Sequence, residues 1–316
     1  MSSLQHPLKF KVKLKAQKLQ ILKRRWLDLA IASACSIAAI YPAQSHAEDF
    51  AQLDTRLRYD SNLGNAKAPY IVSDSSWLTS LILGKQHFLG ESNVNLSYAA
   101  KLSNESFNRL PGLSHTGAGI QISGKHKLGI GPYAPNFTLT AALERQAFRD
   151  QIRNATQHQI ELKMGKRLSE RLSVWAAMSS EKNHSDHQEK VEYYISGATY
   201  ETSNRNYKLN LDFAQRENII WNLSYSMRRG DVLVTTMADL DYNYDIARAI
   251  RPDPSFGPER DIYRLNGSTQ TIATGITHSI NTNWTLHMHL QKNWTIIPGG
   301  VNYQRHGFSM SASYQF

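Results

Sequence analysis

From Phe308 to the last residue every even position is apolar and every odd one is small and polar. Phe308, Met310, Ala312, Tyr314 and Phe316 alternate with Ser309, Ser311, Ser313 and Gln315. A period of two is that of a β-strand, whose successive side chains point to opposite faces; a helical face would recur every three to four residues. This strand has one apolar face and one wet face. The same design returns along the chain: Leu53, Thr55, Leu57 and Tyr59 alternate with Asp54, Arg56, Arg58 and Asp60, and Trp221, Leu223, Tyr225 and Met227 with Asn222, Ser224, Ser226 and Arg228. A chain written this way is all-β, and its sheet needs something apolar to face.

Five alternating apolar positions closing on an aromatic at 316 resemble the C-terminal strand of bacterial outer-membrane β-barrel proteins. The resemblance implies an antiparallel transmembrane β-barrel, porin-like in form. It also implies that Phe308, Met310, Tyr314 and Phe316 belong to a signal read by the barrel-assembly machinery, with outer-membrane lipid as the sheet's apolar partner. The rest of the chain is consistent with this. No run of about 18 uncharged apolar residues occurs after the N-terminal region, so a helical span is excluded there. A barrel escapes that test, because only every second residue of its strands meets lipid.

The first 47 residues read as an export signal and are set aside from fold reasoning. Lys9, Lys11, Lys13, Lys15, Lys18, Lys23, Arg24 and Arg25 form a basic segment. An apolar stretch follows over residues 27–40, and then Ser45 and Ala47, with the small side chains that signal peptidase requires, so cleavage is expected after Ala47. The barrel is expected over residues 48–316. Of the formal net charge of +10, +7 belongs to the signal, which leaves 28 basic and 25 acidic residues in the remainder. The basic balance is therefore no argument for nucleic-acid binding. The single cysteine, Cys35, lies in the apolar stretch. An exported part without thiols suits an oxidising compartment.

Further alternating segments are expected around Trp77–Leu83, 94–102, 114–127, 137–144, 159–164, 172–178, 191–195, 208–213, 271–280, 284–295 and 305–316. The segment 228–231 is either a turn or the middle of a strand that runs on toward Ile246. Pro252, Pro254 and Pro258 make 251–261 a loop. The barrel is expected to have 12–14 strands, 12 or 14 according to how 228–246 divides, because a barrel with both termini on one side needs an even number. Closure follows from physics, since no strand edge can stay unpaired in lipid. Trp77, Trp221, Trp284 and Trp294 fall where interfacial aromatic girdles stand.

The wet face is rich in ionisable groups: Asp54, Arg56, Arg58, Lys101, Glu144, Glu161, Lys163, Lys208, Asp212 and Arg228. On a barrel these are candidate pore-lining charges, either selecting solutes or pairing with one another. His287 and His289 share a face but lack a third ligand, so no metal site is assigned. His184, Ser185, Asp186 and His187 hold the residue types of a hydrolytic triad, but neighbours in a chain point apart, and triads are assembled from separate elements. No phosphate-cradling glycine loop and no paired-cysteine motif occurs. The expected function is a passive channel or export conduit for small solutes, without enzyme activity or cofactor. Alternatives are a lipase- or protease-type enzyme with its site at the barrel rim, and a non-conducting surface binding protein.

Overall fold

The structure, a computed structural model, describes residues 46–89, 93–187, 198–237, 246–299 and 301–316. They form β1 (His46–Asp60), β2 (Asp74–Leu89), β3 (Val94–Phe107), β4 (His115–Lys127), β5 (Asn136–Phe148), β6 (Ala155–Arg167), β7 (Leu172–Ser185), β8 (Thr202–Arg216) and β9 (Ile219–Met237). After a short β10 (Ala249–Pro252) come β11 (Arg260–Ser279), β12 (Trp284–Ile297) and β13 (Val301–Gln315). Each strand pairs antiparallel with its neighbour, β13 pairs with β1, and β9 pairs with β11. Twelve strands therefore close into a ring, with β10 added to the end of β11.

Register fixes which residues share a face. Leu57 stands opposite Met310 and Trp77, while Arg56 stands opposite Ser311 and Leu78. The apolar row is on the outside: Leu57, Leu102, Ile120, Leu139, Leu162, Leu209, Leu223, Leu290 and Met310 are all exposed. In water such a continuous apolar exterior would be untenable, whereas in hydrocarbon it is the favourable face. Trp77, Trp221 and Trp284 also point outward, near strand ends. Trp284, Tyr314 and Phe316 pack as one aromatic group, with ring centroids 4.9 and 4.8 Å apart.

The two ends of the barrel differ. Connections after β1, β3, β5, β7, β9 and β12 lie at one end, and most are longer than those at the other, where Glu217 and Asn218 alone join β8 to β9. The buried apolar core lies at the long-loop end. There Val232, Val234, Ile250, Tyr263, Leu265, Ile297 and Tyr303 pack together. β9 and β11, of 19 and 20 residues, build it by outrunning the 13-residue strands by roughly 20 Å at ~3.3 Å per residue.

Residues 228–231 are therefore not a turn. β9 passes through them, paired with β11 along its whole length. Gly230 makes this possible with φ +138, a backbone state that L side chains rarely adopt, and a Cβ there would stand 2.2 Å from the Ser203 carbonyl oxygen. It is the last β9 residue to pair with β8. The strand expected at 191–195 falls outside the described residues; β7 pairs directly with β8. The loop expected over 251–261 is strand at both edges, since Arg251 and Pro252 pair with Ile262 and Asp261. Pro252 is tolerated because it closes an edge strand, where no ladder donor is missed.

Candidate functional site

The ionisable residues singled out from the sequence occupy the face opposite the apolar exterior, which in a closed barrel is the interior. From mid-barrel to the long-loop end Arg58, Lys101 and Glu144 among them form ion pairs. Lys101 Nζ lies 2.9 Å from Glu144 Oε2, and Ser103 Oγ donates to Glu144 Oε1 at 3.0 Å. These contacts reach from β5 over β4 to β3, and glycines in β4 make the room: a Cβ on Gly117 would stand 2.3 Å from Glu144 Oε1. Arg58 lies 3.7 Å from Glu105, which also receives Ser76 Oγ at 2.7 Å. Arg305 lies 3.5 Å from Asp60. Asp54 accepts from Ser313 Oγ and Gln52 Nε2 at 2.5 and 2.9 Å.

Toward the short-turn end the pattern changes. Trp175 shares this interior face, unlike the girdle tryptophans. Lys163 Nζ stands 4.2 Å and Lys208 Nζ 5.0 Å from its ring centroid. Its indole N–H donates to Asp212 at 3.2 Å, and Asn210 donates to the same carboxylate at 2.6 Å. The ammonium groups thus rest on an aromatic ring, and Asp212 spends its acceptors on neutral donors. Nothing in the one-dimensional alternation marks Trp175 beyond its odd number among the even-numbered apolar positions of β7.

The long-loop end is crossed by residues 249–259, a strap between β9 and β11. In a ring of twelve, the β3–β4 connection stands diametrically opposite, and Ser255 reaches it: a Cβ on Gly112 would lie 2.3 Å from Ser255 Oγ. Ser255 Oγ donates to Asp150 at 2.8 Å in the β5–β6 connection. From the same connection the buried Arg153 holds Asp253 at 2.5 Å, and Thr235 Oγ1 donates to the other carboxylate oxygen at 2.9 Å. Arg153 also sits 4.8 Å from the centroid of Tyr200, a residue of the β7–β8 connection. Arg260 donates to the Tyr70 carbonyl at 3.1 Å, and the Thr235 N–H to the Gly64 carbonyl at 2.7 Å, which brings in the β1–β2 connection. Four connections thereby gather about the strap and the ends of β9 and β11 beside it. Burial pushes the Tyr200 hydroxyl up from its ordinary value, and the hydroxyl has no hydrogen-bond partner among the described residues. Sequence reasoning placed Arg228 among the interior charges but pointed to neither Arg153 nor Asp253, which are 100 positions apart.

Among the described residues the two histidine features make other contacts. His287 Nδ1 lies 2.9 Å from Thr277 Oγ1. Asp186 pairs with Arg145, whose hydrogen bond holds the Asp186 carboxyl below the usual range. Ser185 Oγ bonds to the backbone of His187 and not to an imidazole. Among the described residues no group of three metal-ligating side chains gathers.

No family model matches the chain, and no curated protein does. In three dimensions it is similar to an outer membrane channel from Pseudomonas putida F1, at 9% identity over 84% of this chain and 96% of that one, with a TM-score of 0.50. Looser similarity extends to the NanC porin, at 7% identity over 83% of this chain and 98% of that one with a TM-score of 0.45. The outer membrane channel DcaP of Acinetobacter baumannii is comparable, at 9% identity over 87% of this chain and 99% of that one with a TM-score of 0.43. Identities this low speak to fold. The chain has the closed, antiparallel, twelve-stranded architecture of an outer-membrane β-barrel.

Proposed function

We propose that the protein is an outer-membrane channel for small solutes whose outer mouth is spanned by the 249–259 strap. The observation that carries this reading is the inversion of polarity across one sheet: an apolar exterior built for lipid, and an interior of Arg, Lys, Asp, Glu, Ser and Asn. A soluble barrel would place these the other way round. The longer connections assign the strapped end to the outside and the short turns to the periplasm, following the usual asymmetry of such barrels. On this reading Asp54, Arg56, Arg58, Lys101, Glu144, Glu161, Lys163, Lys208, Asp212 and Arg228 line the solute path. Residues 1–47 direct export, and Phe308, Met310, Tyr314 and Phe316 present the last strand to the assembly machinery.

The paired charges of the outer half hold the wall together and contribute little net field, while the strap limits what enters. No catalytic role is assigned, because Asp186 is engaged by Arg145 and Ser185 by backbone. Reconstitution into planar bilayers tests the reading: discrete current steps support a channel, and a folded, heat-modifiable barrel that passes no current with the strap either intact or loosened contradicts it.

A further inference from the structure

Charge pairing divides the barrel interior into two halves. Every interior ion pair described above, Arg58 with Glu105, Lys101 with Glu144, Arg153 with Asp253 and Arg305 with Asp60, lies between mid-barrel and the strapped end. At the short-turn end a cavity of about 500 Å3 is walled by Lys125, Lys127, Lys163, Lys166, Arg167 and Arg171, against Glu170 and Asp212. Among the described residues none of these four lysines, nor Lys208 beside them, forms a salt bridge. Asp212 is turned to Trp175 and Asn210. Arg167 is turned to the backbone carbonyls of Ser169 and Glu170. Glu161 acts on Lys208 only through space, as do Lys163 and Asp212.

Cations collected in a recess with low-dielectric walls reinforce one another's field and raise the local concentration of anions. Two of them, Lys163 and Lys208, also share the ring of Trp175, so an anion drawn between them would meet an aromatic surface as well. We propose that the periplasmic half of the barrel is an anion-binding vestibule, in which Lys163 and Lys208 on Trp175, with Lys125 and Lys127, hold a small organic solute carrying two or more negative charges. The site deepens the channel reading and rests on it for its role in transport, but binding itself needs no current.

Citrate is a suitable probe. Titrated at low ionic strength into the detergent-solubilised full barrel, it should change tryptophan emission with saturation in the millimolar range or below, and Trp175→Phe should remove most of that signal. The double variant Lys163→Gln/Lys208→Gln should weaken citrate binding at least tenfold, measured by calorimetry so that the readout does not depend on Trp175. Lys292→Gln, which removes one positive charge on the lipid-facing side of β12, should leave binding unchanged. In bilayers citrate should block current more strongly from the periplasmic side than from the outer side. Absence of saturable citrate binding, or equal binding by the wild type and the double lysine variant, overturns the inference. A barrel that binds citrate but conducts in no form would instead overturn the channel reading and leave the binding site standing.

Discussion

Arg153 and Asp253 meet at 2.5 Å above the barrel mouth with 9% and 0% of their side-chain surfaces exposed, so the strap is anchored by an ion pair almost wholly removed from water. Such a pair adds little net stability when made, because desolvation offsets the attraction. It is costly to break from one side, since the partner stays buried and charged.

Arg153→Ala should therefore loosen the strap by about 3–5 kcal/mol while leaving the wall intact. Trypsin cleavage of the folded barrel at Arg251 or Arg260 should accelerate by about two to four orders of magnitude if it tracks strap opening. Unchanged cleavage would mean that the pair does not anchor the strap.

Tyr200 makes the anchor sensitive to alkali. Its folded-state pKa lies above the unfolded value of 10.0 because of burial, so its contribution is fully present below pH 10.0 and is lost as the pH rises beyond it. Strap opening measured by proteolysis or hydrogen exchange should increase above that pH in the wild type. In Tyr200→Phe the rise should be blunted. At neutral pH the variant should be as stable as the wild type, or firmer by ~1 kcal/mol, because the hydroxyl it loses has no partner among the described residues. Marked weakening at pH 7 would contradict this account of the site.

The two faces of the wall should differ in tolerance. Leu102→Arg and Leu223→Arg, on the exposed apolar exterior, should each destabilise the barrel in lipid by roughly 2–4 kcal/mol. Ser97→Arg, on the opposite face of β3, should fold nearly normally. Equal penalties on both faces, read from denaturant unfolding in vesicles, would be incompatible with a lipid-facing exterior.

Phe316→Asp should leave export intact and block membrane assembly, because the aromatic group that Phe316 forms with Tyr314 and Trp284 closes the seam where β13 meets β1 and β12. Normal yield of heat-modifiable protein in the outer membrane would show that the terminal aromatic is not the signal.

The wall was legible in the sequence because a barrel strand writes its two environments into alternate positions: Leu57 and Arg56, or Leu223 and Ser224, declare their faces locally. The mouth was not, because what closes it is a meeting of distant residues. Pro252, Pro254 and Pro258 showed that 251–261 departs from the wall, but nothing local says that Ser255 crosses to Gly112. Gly230 left a turn and a continuing strand both open, because glycine beside Asp231 is common in turns; in the barrel it serves a positive φ and a close approach inside one long strand. Trp175 declares its inward side by its odd position in β7, but not its partners, because Lys163 and Lys208 reach its ring from β6 and β8.

Whether the strap gates the barrel is read from its conductance with the strap locked and then freed. Cys35 is the chain's only cysteine and precedes the barrel, so the pair Gly112→Cys/Ser255→Cys offers the barrel one disulfide, across the mouth, where the two side chains would nearly touch. In a planar bilayer the oxidised protein should be silent or nearly so. Reductant should then restore current steps at least equal to those of the wild type, with Arg153→Ala conducting more than either. Full, unaltered current through the oxidised form would show that the strap does not gate the path, and silence in all three forms would show that there is no path to gate.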